Sequence, residues 1–141
     1  MKIAITGHSS GIGASIHDKL AGDLDEVRGY SKSNGWNIAE DDGDKIINEL
    51  IDFDPDVVFN NAYYPAIQNK ILTTLLTKWK DASGKVIINT GSISGWLNED
   101  MGVDMNDTYV SDKRQLGQIC INNSFDVFTP KANVRCHNIS F

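Results

Sequence analysis

Apolar residues along this chain fall into short continuous runs that alternate with stretches spaced at helical intervals. Lys2 to Thr6 reads as a first strand. Ile12, Ile16 and Leu20 follow at i, i+4 and i+8, the spacing of one helix face. Glu26 to Tyr30 predicts a second strand and Gly35 to Ile38 a short third. Asp44 to Asp52 predicts a helix with Ile46, Ile47, Leu50 and Ile51 on one side. Asp56 to Asn60 carries Val57-Val58-Phe59 and predicts a fourth strand. Ala66 to Trp79 has the longest helical stripe, made of Ile67, Ile71, Leu72, Leu75, Leu76 and Trp79. Lys85 to Asn89 predicts a fifth strand, Thr108 to about Ile121 a helix, and Asn133 to Ile139 a sixth strand.

Strands alternating with helices imply a parallel sheet covered on both faces. Right-handed crossovers then give a doubly wound, Rossmann-like α/β fold, here of about six strands in the order 3-2-1-4-5-6. Ligands in such sheets bind at the carboxyl ends of the strands. Residues 1–141 read as a single domain of this kind. Ser94 to Asp107 is the longest irregular stretch, and long loops of that sort commonly border a site.

Composition narrows the function classes. The chain is 40% hydrophobic and 23% charged, ordinary for a globular protein, and its net charge of −6 argues against a nucleic-acid-binding face. No apolar run approaches the roughly 20 residues that span a bilayer, so no membrane partner is expected. Met1 to Thr6 lacks the pattern of a secretory signal, and the two cysteines, Cys120 and Cys136, read as reduced core residues. A cytoplasmic protein is expected. The histidines and cysteines show no metal-ligand spacing, so no metal site is expected.

The first chemical signal is Thr6-Gly7-His8-Ser9-Ser10-Gly11-Ile12-Gly13, between the first strand and the first helix. Glycines there let the backbone turn tightly and approach a pyrophosphate, and the helix start offers free N–H groups and the positive end of a dipole. The placement makes the turn a dinucleotide site in this reading, and an empty tight turn is the plain alternative. A second signal is Tyr109-Val110-Ser111-Asp112-Lys113 on a predicted helix. Residues i and i+4 share a face, and a nearby ammonium favours a phenolate, so the pair suits proton transfer.

Together these segments resemble the short-chain dehydrogenase/reductase family. The three-residue gap between Gly7 and Gly11, closed by Gly11-Ile12-Gly13, is that family's pattern. Asn60-Asn61-Ala62 follows the fourth strand as in the family. Ile87 to Gly95 resembles its fifth strand and serine segment, and Val134 to Ser140 its sixth strand. The motifs come in the family's order along essentially the whole chain.

The resemblance implies hydride transfer between a nicotinamide dinucleotide and a small carbonyl or alcohol substrate. Tyr109 would be the general acid/base. Lys113 would tune it and hold the nicotinamide ribose, and Ser92 would bond the substrate oxygen. Asn69 is the candidate for a fourth catalytic member. Gly7, Ser9, Ser10, Gly11, Ile12, Gly13, Lys32, Asn37, Ile38, Asn61, Ala62, Tyr109 and Lys113 would contact the cofactor. Tyr30-Ser31-Lys32-Ser33, at the end of the second strand, carries a lysine and no acid. That composition favours the 2′-phosphate of NADP(H) over NAD(H).

Three features depart from the family pattern. Tyr63 stands where the family has glycine, and the stretch between Ser92 and Tyr109 is enlarged. Family members also continue beyond the point matching Phe141, with segments that touch the nicotinamide and cover the substrate. A second function therefore stays open at this point: a nucleotide-binding module without turnover. Finally, the Ala66–Trp79 stripe is wider than one sheet contact needs. Leu72, Leu76 and Trp79, extended by Leu116 and Ile119, are expected to stay exposed and to pair copies into a homodimer or homotetramer through helices 66–79 and 108–121.

Overall fold

A computed structural model describes residues 1–22, 26–126 and 134–141. Five strands and four helices alternate: β1 (Lys2–Thr6), α1 (Gly11–Leu20), β2 (Glu26–Tyr30), α2 (Asp44–Phe53), β3 (Val57–Asn60), α3 (Ile67–Lys78), β4 (Val86–Gly91), α4 (Thr108–Asp126) and β5 (Arg135–Ser140). All pair in parallel in the order β2-β1-β3-β4-β5. The register sets Ala4 beside Val58, Val58 beside Ile87, and Ile87 beside Cys136.

That row forms the floor of the core. Ala4, Val58, Ile87 and Cys136 pack with Ile46, Ile47 and Leu50 of α2, Ile71, Leu72 and Leu75 of α3, and Leu116 and Cys120 of α4. Burial of such side chains is worth roughly 1.5–3 kcal/mol each and drives the layering. α1 contributes nothing to this cluster and packs on the other face, against β1 and β2. The fold is thus the expected α/β sheet with helices on both faces. The face that α1 shares extends over β3 and β4, where Phe59 and Ile88 remain half-buried.

The expected third strand is absent. Gly35 to Ile38 folds back on the end of β2 instead, leaving five strands among the described residues. Short polar side chains capture the backbone there. The Ser31 N–H donates to Asn34 Oδ1 at 2.9 Å, and the Trp36 N–H returns to the Ser31 carbonyl at 2.8 Å. Gly35 adopts φ 87°, a left-handed turn that ends strand propagation. Trp36 then packs edge-on to Tyr30, with centroids 5.3 Å apart. The predicted strand from Asn133 begins outside the described residues, and β5 covers its later part.

The expected exposed apolar patch is also absent. Leu72 and Leu116 are fully buried, Trp79 is 5% exposed, and Leu76 and Ile119 pack against the same core. The stripe on α3 is wide because the helix is wedged between α2 and α4 as well as on the sheet. Its outer face presents Thr73, Thr77 and Lys78. The long Ser94–Asp107 stretch holds a 3-10 turn at Glu99–Met101 and is tied down by Arg114. The Arg114 guanidinium donates to the carbonyls of Gly95 and Leu97 at 3.0 and 2.5 Å.

Candidate functional site

The strand ends at the carboxyl side of the sheet are joined by side chains. Thr6 Oγ1 accepts from the N–H groups of Asn61 and Ala62, both at 3.0 Å. Asn61 reaches back to the Gly7 carbonyl through Nδ2 at 3.4 Å and accepts from Thr90 Oγ1 at 2.9 Å. β1, β3 and β4 therefore end in one bonded line, and everything above them is placed by it.

The glycine turn starts from that line. Gly7 adopts φ 71° and Gly11 φ 54°, conformations that favour glycine. Gly13 is needed for another reason. A Cβ at Gly13 would lie 2.7 Å from Asn61 Nδ2 and would collide with the Gly7 carbonyl oxygen. Ser10 precedes α1 without a side-chain cap, and the first turn of α1 carries no acid. The helix start consequently has no side-chain cap of its own, which leaves its first-turn N–H groups available to an anion.

A cavity of about 240 Å³ lies beside this turn, lined by Gly7, Ser9, Ser10, Lys32, Asn37, Ile38 and Ala62, together with Tyr30, Ser31, Trp36, Tyr63 and Tyr64. Seven of the residues expected to hold a cofactor are thus gathered on one wall, while Gly11, Ile12 and Gly13 open the adjoining helix and Asn61 lies beneath Gly7. Lys32 is the one charged side chain of the lining. Asn37 turns its side-chain oxygen to the Ala39 N–H at 3.2 Å, which shapes the wall locally. These features fit a dinucleotide: a glycine cradle that a Cβ would fill, an uncapped helix start, and an apolar slot with a single cation.

The second cluster sits where β4 meets α4. Lys113 is 3% exposed and donates to Gln68 Oε1 and to the Thr90 carbonyl, each at 2.7 Å. Burial pulls its ammonium down to about 8, and the neighbouring Asp112 carboxylate only partly opposes this. Its Nζ stands 5.3 Å from the Tyr109 ring centroid and 5.2 Å from that of Tyr63. The expected Tyr109–Lys113 pairing on one helix face is present, with Tyr109 39% exposed. Ser92 follows β4 directly and shares a hydrogen bond with Ser94, Oγ to Oγ at 2.8 Å.

Asn69 lies elsewhere. It is buried between α3 and α4, where its Nδ2 donates to the Asp112 carbonyl and to Gln115 Oε1, both at 3.0 Å. The residue that reaches Lys113 is its neighbour Gln68. Gln68 Nε2 is spent on the carbonyls of Asn60 and Thr90, at 2.7 and 3.2 Å, so its oxygen is left aimed at the ammonium. Sequence pattern missed Gln68 because it directly follows Ile67, the first residue of the apolar stripe, and reads as a polar residue of the first turn.

Asp112 was missed as well, and Tyr63, noted in the sequence as a departure from the family glycine, was given no partner. The Tyr63 hydroxyl donates to Asp112 Oδ2 at 3.1 Å, and the Ala66 N–H donates to the same oxygen at 2.8 Å. Burial, with the Asp112 carboxylate beside it, pushes the Tyr63 phenol up to about 12. Asp112 sits inside the Tyr-x-x-x-Lys motif, and its variable position there gave no sign of a role.

No protein-family model and no curated protein matches this chain. Solved structures do. The 3-alpha-hydroxysteroid dehydrogenase of Pseudomonas sp. B-0831, complexed with NADH, superposes with a TM-score of 0.75 at 17% identity, over 99% of this chain and 78% of that one. Serine dehydrogenase from Escherichia coli gives 0.68 at 18% identity, over 99% and 82%. A short chain dehydrogenase/reductase from Burkholderia phymatum in complex with NAD gives 0.65 at 15% identity, over 97% and 64%. The chain has the fold of the short-chain dehydrogenase/reductase structures.

Proposed function

We propose that this protein is an NADP(H)-dependent oxidoreductase acting on a small carbonyl or alcohol. The observation that carries the reading is the pairing of two sites on one strand-end line. One is a glycine-cradled cavity with Lys32 as its lone lining charge. The other is a buried ammonium, Lys113, beside an exposed phenol, Tyr109. The dinucleotide-bound neighbours of the same fold support the choice of cofactor class.

Gly7, Ser9, Ser10 and the start of α1 would hold the pyrophosphate, and Trp36, Asn37 and Ile38 would flank the adenine. No acid lines the cavity, and Lys32 has no ion-pair partner among the described residues, so its ammonium is free for a 2′-phosphate. When bound, the nicotinamide supplies or accepts the hydride. The chain's own groups do the rest. In the reducing direction the Tyr109 phenol gives its proton to the carbonyl oxygen, which the Ser92 hydroxyl steadies by a hydrogen bond. The Lys113 ammonium offsets the phenolate left behind. Gln68 and the Thr90 carbonyl keep that ammonium in place.

The same reading has the protein working in the cytoplasm, where thiols such as Cys120 and Cys136 stay reduced. Among the described residues no helix is long and apolar enough to cross a membrane. Pairing of copies through α3 and α4 remains part of the proposal, but by a polar face rather than an apolar patch.

The test is a titration with NADPH and NADH followed by a screen of small ketones and aldehydes. NADPH should bind at least about tenfold more tightly than NADH, a difference of about 1.4 kcal/mol. Turnover should vanish in Tyr109→Phe while NADPH affinity holds. Full activity in Tyr109→Phe refutes the mechanism, and binding without any turnover in the unaltered protein leaves a nucleotide-binding module.

A further inference from the structure

Tyr63 is the residue on which the two halves of the site meet. It lines the nucleotide cavity, whereas Ser92, Tyr109 and Lys113 do not. Beyond the cavity, its ring lies edge-on to Tyr109, with centroids 4.9 Å apart and planes at 80°, and the Lys113 ammonium is 5.2 Å from its centroid. The ring therefore stands between the cavity and the phenol–ammonium pair.

Its position is fixed from α4. Asp112 Oδ2 accepts from the Tyr63 hydroxyl at 3.1 Å and from the Ala66 N–H at 2.8 Å, clasping both ends of the Tyr63–Ala66 turn. Ala66 is held at φ 63°, a left-handed conformation that disfavours a residue with a Cβ. A turn that needs a carboxylate to stay in a strained shape relaxes when that contact is broken. Tyr64, next in the turn, is 48% exposed and leaves room for movement toward solvent.

We propose that Tyr63 is a selectivity residue of the nucleotide site: it admits the adenosine end of a nucleotide to the cavity and keeps the far end from Tyr109 and Lys113 until its ring is displaced. The inference rests on the nucleotide-binding part of the proposed function and adds which half of the ligand is held first. An adenine nucleotide with no nicotinamide meets no obstacle. A whole dinucleotide must spend part of its binding energy on breaking the Tyr63–Tyr109 and Tyr63–Asp112 contacts.

The experiment compares two probes, NADPH and 2′-phospho-ADP-ribose, by calorimetry on the unaltered protein and on Tyr63→Ala and Tyr63→Phe. The unaltered protein should bind the two probes within about threefold of each other. Tyr63→Ala should tighten NADPH about tenfold relative to 2′-phospho-ADP-ribose, on the scale of one aromatic pair. Tyr63→Phe keeps the ring, loses the bond to Asp112, and should fall between. It also serves if Tyr63→Ala does not fold. A ratio unchanged by both substitutions overturns the proposal, as does an unaltered protein that already prefers NADPH tenfold or more. If neither probe binds the unaltered protein, the proposed function itself falls and this inference with it. If the ratio shifts as expected but no carbonyl is turned over, the selectivity role stands and only the catalytic reading fails.

Discussion

Replacing Lys113 by methionine should erase a pH dependence of stability that a buried ammonium creates. Burial holds Lys113 at about 8 in the folded chain, against an ordinary value of 10.5. Between those values the unfolded chain binds the proton and the folded chain does not, so stability rises with pH. The stabilising increment is complete above 10.5 and is lost as pH falls through 8. Linkage over these two values gives a gain on the order of 2–3 kcal/mol between pH 7 and pH 10. Other shifted groups also make stability depend on pH over this range: burial raises the Tyr63 phenol, and the Cys136 thiol is raised by its hydrogen bond with Cys120 and by burial. Their contributions cancel in the difference between the two proteins. Lys113→Met leaves Gln68 Oε1 without its donor at every pH, which shifts the curve as a whole and leaves its slope alone. Urea unfolding at pH 7, 8, 9 and 10 measures the difference. Parallel curves for the unaltered protein and Lys113→Met, with no closing or opening gap, would refute the reasoning.

Other substitutions test the elements that support the site. Gly13→Ala forces a methyl against the Gly7 carbonyl and should cost about 2 kcal/mol in thermal or urea unfolding, together with a loss of NADPH binding in the same sample. Gln68→Leu removes donors from the Asn60 and Thr90 carbonyls and an acceptor from Lys113, a loss of about 3 kcal/mol by urea unfolding. Lys32→Asp should flatten or invert the preference for NADPH over NADH in the same titration that establishes it, with little change in melting temperature because Lys32 is exposed. Light scattering at micromolar concentration should give a mass of twice or four times 15.6 kDa, and a clean monomer would remove the pairing of copies through α3 and α4.

The sheet and its helices were legible because periodicity reports burial directly. Ile3 to Thr6 is a strand buried between layers, Val57 to Asn60 is a strand buried at alternate positions, and the α3 stripe is a helix buried on three sides. The same stripe misled about exposure, since a wide apolar arc looks alike whether a second copy or a neighbouring helix covers it. Gly35 to Ile38 failed as a strand because Ser31 and Asn34 act on the backbone through side chains, and hydropathy is blind to that. In the site, the glycine turn and Tyr109–Lys113 were readable as local spacings. Gln68, Asp112 and the partner of Tyr63 were not, because each matters through a contact distant along the chain, brought close only by the crossing of α3 and α4 over the ends of β3 and β4.

The spatial order β2-β1-β3-β4-β5 also sets a timetable for synthesis. The strand made first ends up between the second and third, so β1 has both of its neighbours before β4 exists. The bonds from Thr6 to Asn61 and Ala62, and the residues of the cavity wall up to Tyr64, all belong to this early segment. Gln68 and the Thr90 carbonyl follow and stand as a socket of two acceptors. Lys113 arrives last and fills it. Along the chain, the groups that would hold a nucleotide therefore come before the groups that would act on anything beside it.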